Sequence, residues 1–82
     1  MNHKEFQKIM DIIAKSYIRI IRDNETIIFI FDGSMMSWDE LQYLYDKFVE
    51  MGIPEENISI DIVGSIMIMI ISKDKDNKIY IM

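Results

Sequence analysis

The chain has 82 residues, a net charge of −5 and no cysteine. This length predicts one domain, residues 1–82, and the lack of cysteine excludes disulfide frameworks and thiolate metal sites. His3 is the only histidine, so histidine-based catalysis and multi-histidine metal centres are excluded as well. Because no apolar run reaches the ~18 residues of a membrane span, and charges interrupt the N-terminal segment, we expect a cytoplasmic protein.

The positive charge is concentrated at the N-terminal end. Residues 1–22 carry five lysines and arginines against two acids, whereas residues 23–82 carry four lysines against twelve acids. An acidic body of this kind argues against a protein that wraps a nucleic acid.

The first 22 residues have helical periodicity, which predicts an amphipathic helix over residues 3–22. Its apolar stripe consists of Phe6, Ile9, Met10, Ile13, Tyr17, Ile20 and Ile21. The other face carries the cations Lys4, Lys8, Lys15, Arg19 and Arg22. A β-hairpin is the alternative, because "YIRIIR-DN-ETIIFIF" would place Arg22 opposite Glu25 across an Asp-Asn turn. The continuous stripe from Phe6 favours the helix.

The segment 26–31, "TIIFIF", predicts a strand that is buried on both faces. A second helix is predicted at 38–51, since Ser37 and Glu40 have the spacing of a capping box. Gly52 suits the left-handed residue that ends a helix, and Pro54 prevents its continuation.

The segment "ISIDIV-GS-IMIMIIS" predicts a hairpin with a two-residue Gly64-Ser65 turn, in which Val63 lies opposite Ile66. One face of this hairpin would then be wholly apolar and would form the core: Ile58, Ile60, Ile62, Met67, Met69 and Ile71. The other face collects Ser59, Asp61, Val63, Ile66, Ile68 and Ile70. The polar loop "KDKDN" and a last strand, "KIYIM", follow.

These elements predict an α+β two-layer sandwich, with two helices packed on a mixed four-stranded sheet in the order α-β-α-β-β-β. The strands 26–31 and 58–63 would be parallel and joined by a right-handed crossover through the second helix.

The stretch "DGSMMSWDE" follows a strand and precedes a helix, where α/β proteins often bind ligands. Asp32, Ser34 and Ser37 are therefore a candidate anion site. Asp-Gly-Ser matches only part of the Asp-x-Asp-Gly-Thr pattern of the aspartate-nucleophile phosphatases, because Ile30 stands where the nucleophile would be, so we infer no kinship. The simpler interpretation is a turn followed by a helix cap.

Two further surfaces are candidate partner-binding sites. The row Ile66, Ile68 and Ile70 is a contiguous apolar patch, which monomers rarely expose, so either the first helix or a partner covers it. We expect a partner, and a second copy in a homodimer before any other. Three acids of the second helix, Asp39, Asp46 and Glu50, suit contact with a basic protein.

No catalytic constellation, metal site or cofactor motif is present in this sequence. We therefore expect a small acidic protein–protein interaction module, an adaptor or inhibitor without enzymatic activity. By analogy of size and charge, this class includes inhibitors encoded by phages and other mobile elements. The alternatives are a nucleic-acid-associated factor that uses the basic face of helix 3–22, although the acidic body speaks against it, and a small-ligand site at Asp32–Ser37.

Overall fold

The computed structural model describes residues 2–72. Its elements are α1 (His3–Ser16), β1 (Tyr17–Arg22), β2 (Thr26–Asp32), α2 (Trp38–Glu50), a 3-10 turn (Glu55–Asn57), β3 (Ile58–Val63) and β4 (Ile66–Ser72). The strands form one sheet in the order β1-β2-β4-β3. The predicted α+β fold of two helices on a four-stranded sheet is confirmed. The predicted loop 73–77 and strand 78–82 lie outside the described residues.

The prediction of a helix over residues 3–22 is wrong beyond Ser16. Residues 17–22 form β1, which pairs antiparallel with β2, so the alternative hairpin is the one that forms. The carboxylate of Asp23 closes its turn by accepting hydrogen bonds from the backbone N–H groups of Glu25 and Thr26, both at 2.8 Å. Arg22 lies opposite Ile27, and not opposite Glu25, because the turn is longer than two residues.

The prediction of a mixed sheet is also wrong. The strands β2 and β3 run in the same direction, as the crossover requires, but β4 lies between them and is antiparallel to both. Every neighbouring pair in the sheet is therefore antiparallel. The order of elements in the described chain is α-β-β-α-β-β.

The second helix and the second hairpin agree with the predictions. The Ser37 hydroxyl accepts a hydrogen bond from the Glu40 N–H at 3.1 Å, and the Ser37 N–H donates to the Glu40 carboxylate at 3.0 Å, which completes the capping box. Gly52 ends the helix with a positive φ of 100°. In the hairpin, Val63 lies opposite Ile66, and Gly64 has the positive φ that its turn requires.

The described chain consists of two successive helix–strand–strand units, α1-β1-β2 and α2-β3-β4. They join through the antiparallel β2–β4 pair, in which Phe29 lies opposite Met69. The helices are antiparallel as well, since Lys15 pairs with Glu40 at one end and Lys47 with Glu5 at the other. An approximate two-fold axis therefore relates the units, although their sequences show no repeat. It equates the two edge strands, β1 and β3.

The core lies between the helices and one face of the sheet. Its buried members are Ile9, Ile12, Phe29, Phe31, Met36, Leu41, Leu44, Phe48, Ile58, Met67 and Met69. Ile12 was not part of the predicted stripe, because that stripe was drawn for a longer helix. Ile60 and Ile62 were predicted in the core but are 40% and 41% exposed, since β3 is an edge strand.

Candidate functional site

The corner between β2 and α2 uses its polar groups in local structure. The Asp32 carboxylate accepts hydrogen bonds from the side chain and the backbone N–H of Ser34, at 2.7 and 2.9 Å. These bonds lower the pKa of Asp32. Ser37 is occupied in the capping box. The three residues of the candidate anion site therefore form a turn and a cap, as the simpler interpretation predicts.

Gly33 brings the corner against the turn between β3 and β4. Its N–H donates to the Ser65 carbonyl oxygen at 2.6 Å. A Cβ atom at this position would lie 2.5 Å from the same oxygen. Since φ of Gly33 is not positive, the backbone conformation does not require glycine here. The close approach to the Ser65 carbonyl does, because it leaves no room for a Cβ atom.

The acids of α2 are partly neutralised by their neighbours. The Lys47 ammonium lies 2.9 Å from the Glu50 carboxylate and 3.1 Å from that of Glu5, and these bonds raise the pKa of Lys47. Asp46 accepts a hydrogen bond from the Gln42 side chain, and Asp39 is exposed. Contact of this face with a basic protein stays a prediction.

The predicted basic stripe does not form one helix face. Lys8 lies over the Tyr43 ring, 4.2 Å from its centre, and Lys15 pairs with Glu40 at 2.7 Å, so both contact α2. Hydrogen bonds from Lys15 and from the Ser37 N–H lower the pKa of Glu40. The other three cations are exposed on two different elements, Lys4 on α1 and Arg19 and Arg22 on β1.

The second face of the sheet is less accessible than predicted. Ile66 and Ile70 are half-buried, and Ile68 is only 8% exposed. Since α1 packs on the opposite face through Ile9 and Ile12, it does not cover this row. Binding of a partner by the row stays a prediction.

The largest group of exposed apolar side chains lies at the other end of the described sheet, on α1 and β1. Its six members are 41–52% exposed: Phe6, Met10, Tyr17, Ile18, Ile20 and Ile21. We call this group the β1 edge surface. It contains half of the large exposed apolar residues among residues 2–72, and every residue of β1 is exposed.

The geometry of α1 places two of these side chains, Phe6 and Met10, on the same side of the molecule as β1. Successive helical residues are ~100° apart, so Phe6 and Met10 lie across the helix axis from Lys8 and Lys15, which contact α2. Phe6 and Met10 therefore face away from α2 and towards the β1 side of the sheet. Within the described residues β1 pairs with β2 alone. The backbone N–H and C=O groups of β1 that point away from β2 therefore lie on the side of the molecule that Phe6 and Met10 face.

The opposite edge of the sheet is less apolar. Strand β3 exposes three large apolar side chains, Ile60, Ile62 and Val63, and Trp38, which lies across the axis of α2 from Lys47, is 65% exposed on the same side. On α2, Tyr45 and Val49 are partly buried against the core, whereas Phe6 and Met10 of α1 are exposed. The sequence did not reveal this asymmetry, because all residues of the β1 edge surface except Ile18 were assigned to the apolar stripe of a longer helix.

Comparison of the chain with protein-family models, curated proteins and solved structures finds no match. Within residues 2–72, no three histidine, cysteine, aspartate or glutamate side chains are grouped so that they could hold a metal ion. Neither helix of the described chain has the length and apolar character that crossing a bilayer requires. The argument for function therefore depends on the surfaces of the molecule.

Proposed function

We propose that this chain is a small protein–protein interaction module without catalytic activity, and that it binds through the β1 edge surface. The observation that carries the proposal is the coincidence of a strand edge that is unpaired among residues 2–72 with six exposed apolar side chains. An open strand edge offers backbone donors and acceptors to an added strand. A group of exposed apolar side chains beside such an edge is typical of a protein-binding surface.

The two contributions to binding differ in kind. Backbone hydrogen bonds along β1 give orientation and register, because they are made by any extended chain. Specific affinity comes from the side chains, and removing the exposed half of one isoleucine from water contributes about 1 kcal/mol. Arg19 and Arg22 lie among these side chains and disfavour basic partners.

The approximate two-fold axis supplies a matched control for the test. Ile20 lies opposite Phe29 and is 45% exposed, and Ile60 lies opposite Met69 and is 40% exposed. Both side chains point to the helix-covered side, one on each edge strand. Glutamate at either position adds the same charge to the same kind of strand.

The experiment is affinity capture from an extract of the source cells, with chemical cross-linking and mass spectrometry. We expect Ile20→Glu to lose the proteins that the wild type captures, the chain itself included, and Ile60→Glu to retain them. Circular dichroism checks that both variants are folded. Equal capture by the two variants would contradict the proposal.

A further inference from the structure

We propose that the β1 edge surface binds a second copy of this chain. The two β1 strands pair antiparallel about a two-fold axis at Ile21, and the two sheets, each of four strands in the described residues, join into one. This inference rests on the proposed function and names its partner. Its evidence is the distribution of charge on β1, the spacing of the helix layer and the larger number of exposed apolar side chains on this edge than on the β3 edge.

The sides of the sheet restrict the possible registers. Arg19 and Ile21 lie opposite Ile30 and Ile28 on the side without helices, whereas Ile20 and Arg22 point to the helix side. A two-fold axis perpendicular to the sheet places each β1 residue opposite a residue of the second copy whose side chain points to the same side of the sheet. The regular ladder of β1 ends at the bulge at Ile18. The axis therefore passes through one residue of 19–22.

The charges of β1 select among these four registers. An axis at Arg19 or Arg22 places an arginine opposite its own copy, which is unfavourable. An axis at Ile21 places Arg19 opposite Asp23 of the second copy, twice in the dimer, and opposite charges across strands stabilise a pair. An axis at Ile20 gives no such pairs. Because Oδ1 of Asp23 closes the turn, Oδ2 is the atom that Arg19 reaches.

The helix layer fits the joined sheet. Strands are ~4.8 Å apart and packed helices ~10 Å apart, so two helices are as wide as the four strands beneath them. Joining two sheets at β1 then brings α1 against α1 of the second copy at an ordinary packing distance. Phe6 and Met10, which face away from α2, lie between these two helices.

The chain already contains a join of this kind. The units α1-β1-β2 and α2-β3-β4 meet through an antiparallel strand pair with both helices on one side. A β1–β1 join repeats this arrangement between copies and closes the dimer. Head-to-tail pairing of β1 with β3 would give an open filament, and the β3 edge of the second copy would offer four exposed apolar residues, Trp38 included, in place of six.

The first test measures mass by light scattering at protein concentrations between about 1 and 100 μM, a range in which dimers with micromolar dissociation constants assemble. We expect the full-length wild type to reach twice its monomer mass of 9.8 kDa. Ile20→Glu should raise the dissociation constant of the dimer more than about tenfold, and Ile60→Glu should leave it unchanged. A monomeric wild type overturns the inference, and so does a mass that keeps growing with concentration.

The second test locates the axis. Because the chain has no cysteine, single-cysteine variants at residues 19–22 and at Ile60 can be cross-linked with a short bismaleimide. We expect Ile21→Cys to form covalent dimers fastest and Ile60→Cys to form none above the background of a denatured sample. Fastest cross-linking at any other position overturns the register.

The two proposals fail in different ways. If the wild type is a monomer but still captures another protein that Ile20→Glu loses, self-pairing is overturned and the interaction module stands. If the wild type forms a dimer that both variants preserve, the β1 edge surface is not its interface, and both proposals are overturned.

Discussion

At the corner between β2 and α2, the absence of one methyl group decides how closely two turns approach. Gly33→Ala places a Cβ atom 2.5 Å from the Ser65 carbonyl oxygen. The Cβ is attached directly to the backbone and the oxygen belongs to it, so neither atom can rotate away. We expect a loss of about 1–3 kcal/mol in the free energy of unfolding, as for other overpacked sites. Urea unfolding followed by circular dichroism measures it. Ser34→Ala, in the same turn, is the control and should cost less; the reverse order would contradict the close approach.

Glu40 connects α1 to the start of α2 and gives stability a dependence on pH. Bonds from Lys15 and Ser37 hold its pKa below the usual value in the folded state. A carboxyl with a lowered folded pKa stabilises the protein above its unfolded pKa of ~4.3 and loses this contribution as pH falls through the folded pKa. We expect Glu40→Gln to be less stable than the wild type at neutral pH and the difference to shrink in acid.

Urea unfolding of both chains at neutral pH and at about pH 3, below the usual carboxyl range, checks this expectation. The exposed Glu56 supplies the control, and Glu56→Gln should change stability little at either pH. A difference between wild type and Glu40→Gln that is the same at both pH values would show that charge on Glu40 is not the cause.

At the scale of the element, the start of α2 depends on a single hydroxyl. Ser37→Ala removes the acceptor for the Glu40 N–H and should destabilise the protein by ~1 kcal/mol, the usual cost of losing an N-cap. Ser37→Asp keeps an acceptor and should retain most of the stability. Thermal unfolding of the three chains measures both effects, and equal losses for alanine and aspartate would argue against the cap.

Elements with local signals could be predicted from the sequence, and those decided by distant contacts could not. The capping box at Ser37 and the Gly64 turn lie within a few residues of what they determine, so α2 and the second hairpin were predicted correctly. Residues 17–22 fit both a helical stripe and a strand. Their pairing with β2 decides between the two. The hydrogen bonds that the Asp23 carboxylate accepts from Glu25 and Thr26 form only once the turn has been made.

At the scale of the whole molecule, the sequence predicted a partner surface at Ile66, Ile68 and Ile70, which stays a prediction, whereas the largest group of exposed apolar side chains in the described chain lies on α1 and β1. Exposure depends on strand order and on where α1 ends, and neither follows from periodicity. The turn at Asp32 and the cap at Ser37 are present as predicted, because these residues belong to known turn and cap motifs, whereas binding of an anion there stays a prediction. The β1 edge surface could be recognised only from the folded structure.

The charge distribution argues against nucleic acid as a ligand. Among residues 2–72, Lys8 and Lys15 contact α2 and Lys47 pairs with two acids, so Lys4, Arg19 and Arg22 are the other cations of this range of an acidic chain. We expect no binding of DNA or RNA at about 150 mM salt, where three phosphate contacts give little affinity. Fluorescence anisotropy with labelled oligonucleotides tests this, and micromolar binding that Arg19→Glu removes would favour a nucleic-acid-associated factor.

The two helix–strand–strand units have a consequence for the order of folding. Each hairpin closes over a few residues, but the central pair brings together Phe29 and Met69, forty positions apart. Distant pairing is slow because loop-closure entropy is lost before the contacts form. We expect the hairpins to appear first and the docking of β2 on β4 to limit the rate. Substitutions in the β2–β4 pair should then slow refolding, and so should substitutions on β3, because its hairpin with β4 has formed before the slow step.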